Sequence, residues 1–111
     1  MKIGIDSYCF HRLFGEVYPF QDPPDRIRTV DDFIEFSKGL DVDGVSLETC
    51  FLPSFDDGYL KELGAKLKEY NLDSVFAWGH PNGLERGLSP EAHQEMKTMI
   101  PKTRLIGTAV M

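Results

Sequence analysis

Glu48 and His80 have the most to offer a reaction. Each closes a short apolar run: Glu48 ends "VSLE" and His80 ends "VFAWGH". A carboxylate in a strand-like run needs a partner or a task, because charged side chains are almost never buried alone. Carboxylate and imidazole are also common general acid–base groups. Aromatic rings lie close by in sequence: Tyr8 and Phe10, followed by His11, and Trp78 two residues before His80. Such rings make flat apolar walls suited to the faces of sugar rings. We therefore expect Glu48 and His80 as catalytic residues and Tyr8, Phe10, His11 and Trp78 as substrate contacts. Tyr8, Phe10 and Trp78 have a plainer reading as core aromatics, and His11 as a solvated loop residue. Asp6 reads as a structural hydrogen-bonding group.

These residues need strands and helices to position them. "KIGIDSYCF" (2–10), "DGVSLETCF" (43–51) and "DSVFAWGH" (73–80) read as strands. Between them, "TVDDFIEFSKGL" reads as a helix capped by Thr29, with Asp31 and Asp32 at its positive end. "DDGYLKELGAKLKEYN" carries Leu60, Leu63, Leu67 and Tyr70 at helical spacing, and Asn71 suits the residue just past its end. "SPEAHQEMKTMI" has Ser89 as cap and Pro90 at the first helical position. Pro101 is expected to stop this helix, leaving "RLIGTAVM" as a fourth strand. Strand alternating with helix implies a parallel sheet joined by right-handed crossovers.

The loops after the strands are long, and those after the helices are short. The stretch from His11 to Arg28 far exceeds the roughly 2–6 residues usual between a strand and a helix. Long loops at the carboxyl ends of parallel strands are where such sheets bind ligands. Alternation along the strands points the same way. Val45 and Leu47 suit packing beneath helices, with Ser46, Glu48 and Cys50 opposite. In the third strand Val75 and Ala77 are expected to oppose Phe76, Trp78 and His80. A doubly wound sheet would need both faces apolar, so the alternation favours a barrel over an open sheet.

Bulk properties exclude several partners. A net charge of −6 opposes nucleic acid or an anionic membrane as the main partner. No apolar run approaches the roughly 20 residues of a membrane span. "MKIGIDSYCF" is too polar for a signal peptide, so a cytoplasmic location is expected. Cys9 and Cys50 read as free thiols. Glycine-rich dinucleotide loops, phosphate-loop lysines and nucleophile elbows are absent, and His93 and Glu95 lack a second histidine at metalloprotease spacing.

"MKIGIDSYCF", "DGVSLET" and "VFAWGH", each opening a βα step, together resemble the xylose-isomerase-like (β/α)8 barrels, the group of sugar phosphate isomerases and epimerases. "GIDSYCFHRLFGEVYP" also resembles the barrel subunit of C-glycoside deglycosidases. The resemblance implies that residues 1–111 are the N-terminal part of one parallel TIM barrel, with about three βα units and the fourth strand present, since such barrels run to roughly 250 residues. It implies metal-assisted proton transfer next to a sugar carbonyl, or cleavage of an oxidised C-glycoside. The complete barrel would hold a divalent metal (manganese, magnesium or zinc) on later strands. In the endonuclease-like branch of the group the histidine closing strand three also binds metal, which makes His80 the only metal candidate the resemblance carries into this chain; in the sugar-acting branch no metal ligand or bound cofactor is expected here, and the chain alone would be inactive. The expected partner is a sugar or sugar derivative, with a homo-oligomer or second subunit also compatible. The rival reading is a complete, small flavodoxin-like α/β binding or signalling module.

Overall fold

The structure, a computed structural model, describes residues 1–80, 83, 85–108, 110 and 111. Three strands, β1 (Gly4–Asp6), β2 (Gly44–Glu48) and β3 (Asp73–Ala77), form one parallel sheet in the order β1-β2-β3. Helix α1 (Val30–Gly39) links β1 to β2, α2 (Asp57–Glu69) links β2 to β3, and α3 (Pro90–Ile106) follows β3. The fold class is therefore α/β with a parallel sheet, as expected. Among the described residues, no helix is long and apolar enough to cross a membrane.

The caps behave as their residue types dictate. The Thr29 hydroxyl accepts the Asp32 N–H at 3.1 Å, and the Asp32 carboxylate accepts the Thr29 N–H at 2.9 Å, a complete capping box. Ser89 caps α3, with Pro90 behind it in the first turn. Asn71 takes a left-handed conformation, φ 54°, just past α2.

All three helices pack on one face of the sheet. Val45, Leu47 and Phe76 point into a core filled by Val30, Phe33 and Ile34 from α1, Leu60, Leu63 and Leu67 from α2, and Met99 and Ile106 from α3. The opposite face carries Gly4, Asp6, Gly44, Ser46 and Val75 and bounds an open, mostly apolar trough. Val75 is 43% exposed there.

Several expectations from the sequence need correction. The first strand ends at Asp6, and residues Ser7–Phe14 wind into 3₁₀ turns. Asp6 causes the break: its carboxylate accepts the Tyr8 N–H at 2.8 Å and so caps the turn. The second strand likewise ends at Glu48, before a 3₁₀ turn over Thr49–Phe51. In β3 the two faces are exchanged relative to the expectation. Register pairs Leu47 with Phe76 and Ser46 with Val75, so the larger Phe76 ring fills the core and Val75 faces outward. Pro101 does not stop α3. Ala92, Met99, Thr103 and Ile106 keep one buried stripe running through it, and that burial outweighs the backbone bond that proline forfeits. Arg104, Leu105 and Ile106 are thus helical, which removes the first residues of the expected fourth strand. Gly107, at φ 90°, ends the helix. The Thr108 hydroxyl then donates to the Ser74 carbonyl at 2.6 Å, and the Phe76 N–H donates to the Val110 carbonyl at 3.1 Å. The chain therefore returns alongside β3 only at its last residues; Ala109, part of the expected strand, lies outside the described residues.

Candidate functional site

A cleft of about 420 Å³ opens at the carboxyl end of the sheet, lined by Tyr8, Glu16, Glu48, Cys50, Gly79 and His80. Each lining residue lies just past the core of a strand or in the loop that follows. Glu48 is the last residue of β2. Tyr8 stands on the turn after β1, and Gly79 and His80 follow β3. Folding a parallel sheet with helices on one face necessarily collects these ends on one rim.

Glu48 is half-buried, and among the described residues its carboxylate accepts no hydrogen bond. Partial burial pushes it above the ordinary glutamate range, and the nearby Asp6 and Glu16 carboxylates push it further the same way. Its backbone is fixed, because the Glu48 N–H donates to the buried Ser7 hydroxyl at 3.0 Å. Cys50 is exposed as a residue, but desolvation of its thiol by the cleft wall, and then Glu48 and Glu16, push that thiol up to about 11. Near neutral pH it is a protonated, weakly nucleophilic group.

His80 lines the cleft beside Trp78, whose ring lies parallel to it at 5.9 Å. Its Nε2 comes within 4.0 Å of a Glu95 carboxylate oxygen from α3. The indole Nε1 of Trp78 is buried with no hydrogen-bond partner among the described residues. Trp78 therefore backs His80 and does not itself line the cleft.

The first loop supplies the other wall. Tyr8 and Tyr18 share a hydrogen bond between their hydroxyls, and this bond is the main reason that Tyr8 is pushed up to about 12. His11 packs on Tyr18 at 4.5 Å and on Tyr8 at 5.3 Å. Its Nδ1 pairs with the Glu16 carbonyl at 2.7 Å, and the Glu16 N–H donates to the His11 carbonyl at 3.1 Å. These bonds pin Glu16 at the mouth of the cleft.

The structure thus brings together Glu48, His80 and Tyr8 from the expected set. His11 and Trp78 stand behind them as supports. Phe10 goes elsewhere: its ring packs on Phe33 at 5.9 Å and on Phe36 at 5.5 Å, beneath α1. The turn that begins at Ser7 rotates it away from Tyr8. Glu16, Ser7 and Thr49 were not singled out from the sequence. Glu16 sits in a loop with no periodicity to place it. Ser7 and Thr49 carry ordinary hydroxyls whose role depends on neighbours distant in sequence.

A half-buried carboxylate held above its ordinary range by burial, beside an imidazole and a phenol, can move protons and hold hydroxyl groups. The donor set does not make a metal site. Among the described residues, no three His, Cys, Asp or Glu side chains converge on one point. No protein-family model matches the chain, and neither a curated protein nor a solved structure matches it.

Proposed function

We propose that this chain opens a sugar-acting (β/α)8 barrel in which Glu48 and His80 move a proton at the carbon next to a sugar carbonyl, either in isomerisation or epimerisation or in the related cleavage of an oxidised C-glycoside. One observation carries the reading: Glu48, His80 and Tyr8, from three successive strand ends, line a single cleft. The architecture supports it. Right-handed crossovers that always step in one direction put every helix on the same face, as in a barrel, and leave the inner face to be closed by further strands. The order β1-β2-β3 and the bare second face count against the flavodoxin-like module, whose strand order reverses next to β1 and whose sheet is covered on both sides.

In this reading Glu48 takes the proton from carbon, helped by the burial that raises its basicity. His80 holds or returns a proton at the neighbouring oxygen, and the Tyr8 ring lies against the sugar. A divalent metal, in the barrels this chain resembles, polarises the carbonyl. The residues described here do not form its site, and no step above runs through it.

Deuterium wash-in tests the proposal. A barrel-length protein that begins with this chain, incubated with ketoses or 3-oxo-glycosides in D₂O, is expected to exchange the hydrogen next to the carbonyl. Glu48→Gln keeps the shape and removes the base, and exchange should slow at least about tenfold, equivalent to roughly 1.4 kcal/mol. Exchange at the parent rate in that variant would remove Glu48 from the mechanism.

A further inference from the structure

The main-chain ladder of the sheet stops at Asp6–Ser46 on one side and at Glu48–Ala77 on the other. Beyond those pairs, two buried hydroxyls take over. Ser7 Oγ accepts the Glu48 N–H at 3.0 Å. Thr49 Oγ1 accepts the Gly79 N–H at 2.9 Å and approaches the Gly79 carbonyl, to which it donates, at 3.3 Å. Thr49 is fully buried and Ser7 nearly so. Thr49 directly follows Glu48, and Gly79 directly precedes His80. One side chain therefore clamps the backbones that carry both reactive groups.

Gly79 does not need glycine for its backbone, since it is not among the residues at positive φ. Glycine here leaves room that two side chains, Glu48 and Cys50, now use. A Cβ at this position would lie 2.8 Å from Glu48 Oε2 and 3.1 Å from Cys50 Sγ. The carboxylate occupies the room that a side chain would take.

We propose that Thr49 and Gly79 form a positioning latch, with Ser7 as its outer support, that sets the Glu48 carboxylate over the backbone leading to His80. The inference rests on the reading of Glu48 and His80 as a working pair. Thr49 touches no substrate in it; it acts through its neighbours.

Cys50 is a built-in reporter, because its thiol is faced by Glu48, Glu16 and Glu95, with Tyr8 and His80 on the same cleft. The experiment uses the full chain at micromolar concentration with Cys9→Ser, and follows iodoacetamide alkylation of Cys50 against pH. Thr49→Val is expected to free the Glu48 segment and lower the apparent thiol pKa by at least about half a unit. Thr49→Ser, which restores the hydroxyl, should keep the parent profile. A Thr49→Val chain that melts earlier but alkylates with the parent profile would make Thr49 merely structural and overturn the latch. If Thr49→Val leaves no folded chain, a thermal cycle decides. Gly79→Ala should lower the melting temperature at least about twice as much with Glu48 present as with Glu48→Ala, because contacting residues couple. Equal losses in both backgrounds overturn the proposal. No sugar enters these readouts, so the latch and the sugar chemistry can fail independently.

Discussion

The Glu48 carboxylate combines partial burial, two carboxylates nearby, and no hydrogen bond from the described residues. Stability dictates none of these, because an unpartnered half-buried charge costs free energy. The sign of its pH effect follows. The folded chain holds the Glu48 proton to a higher pH than the unfolded chain, whose ordinary glutamate value is 4.5. Between that value and the raised one, the folded state binds more protons, so this residue's contribution to stability falls as pH rises. Glu48→Gln is therefore expected to melt no lower than the parent near neutral pH and to flatten that decline. Thermal melts at a series of pH values check it. A melting temperature several degrees lower at neutral pH would instead mark Glu48 as a buried structural carboxylate. Where the residue makes a charge-assisted hydrogen bond to substrate, its loss costs roughly 1.5–3 kcal/mol, or one to two decades in rate when made in the transition state.

The connecting helices are held by caps and by close packing. Replacing the hydroxyl of the α1 capping box by Thr29→Ala should cost about 1 kcal/mol. For a domain of this size that is a fall of roughly 4–8 °C in melting temperature. Retention of the parent midpoint would mean that the box is idle. Helix α2 meets the end of α3 at Gly64. A Cβ there would lie 2.6 Å from the Ile106 carbonyl oxygen and 2.8 Å from that of Leu105, both of them backbone. No flexible side chain can yield, so Gly64→Ala must push the two helices apart. The expected loss is about 1–3 kcal/mol, although alanine has the better helix propensity. A gain in stability on that substitution would show that the helices part without cost. The Lys102 ammonium adds a local tie, donating to the Phe55 carbonyl at 2.6 Å and pairing with Asp57 at 3.2 Å.

At the scale of the whole molecule, the dominant feature is a sheet face that the described residues leave uncovered. Parallel sheets are almost always covered on both faces. Here Ile3 and Val75 remain exposed beside the glycines of β1 and β2. The chain by itself is expected to self-associate as its concentration rises and to bind a hydrophobic dye while folded. Val75→Lys places a charge on that face outside the core, so it should raise solubility and leave the melting temperature nearly unchanged. Sedimentation across a concentration series checks both statements; a parent chain that stays monomeric throughout would contradict them. Among the described residues, the cleft has walls from the ends of three strands. We expect the chain alone to show no turnover of ketoses or 3-oxo-glycosides, with or without manganese. Metal-dependent turnover by these 111 residues would overturn that expectation.

The alternation of strand and helix, the caps at Thr29 and Ser89, and the left-handed Asn71 were all legible in the sequence, because each depends on residues within a few positions of one another. So was the meeting of Glu48 and His80 on one rim, since parallel strands put their carboxyl ends together whatever the details. The tertiary structure decided what depends on distant partners. Which face of β3 is buried was settled by the volume that Phe76 fills beside Leu47, and alternation alone cannot tell one face from the other. The course of α3 through Pro101 was settled by Met99, Thr103 and Ile106 packing on the core, against a local signal to stop. The turn at Ser7 sent Phe10 beneath α1 and kept Tyr8 at the cleft, although the two differ by only two positions. Thr49 and Gly79 are 30 residues apart and unremarkable in sequence, and only folding brings the hydroxyl of one to the backbone of the other. Short-range chemistry wrote the elements; the packing of side chains far apart in the chain chose which of them face the cleft.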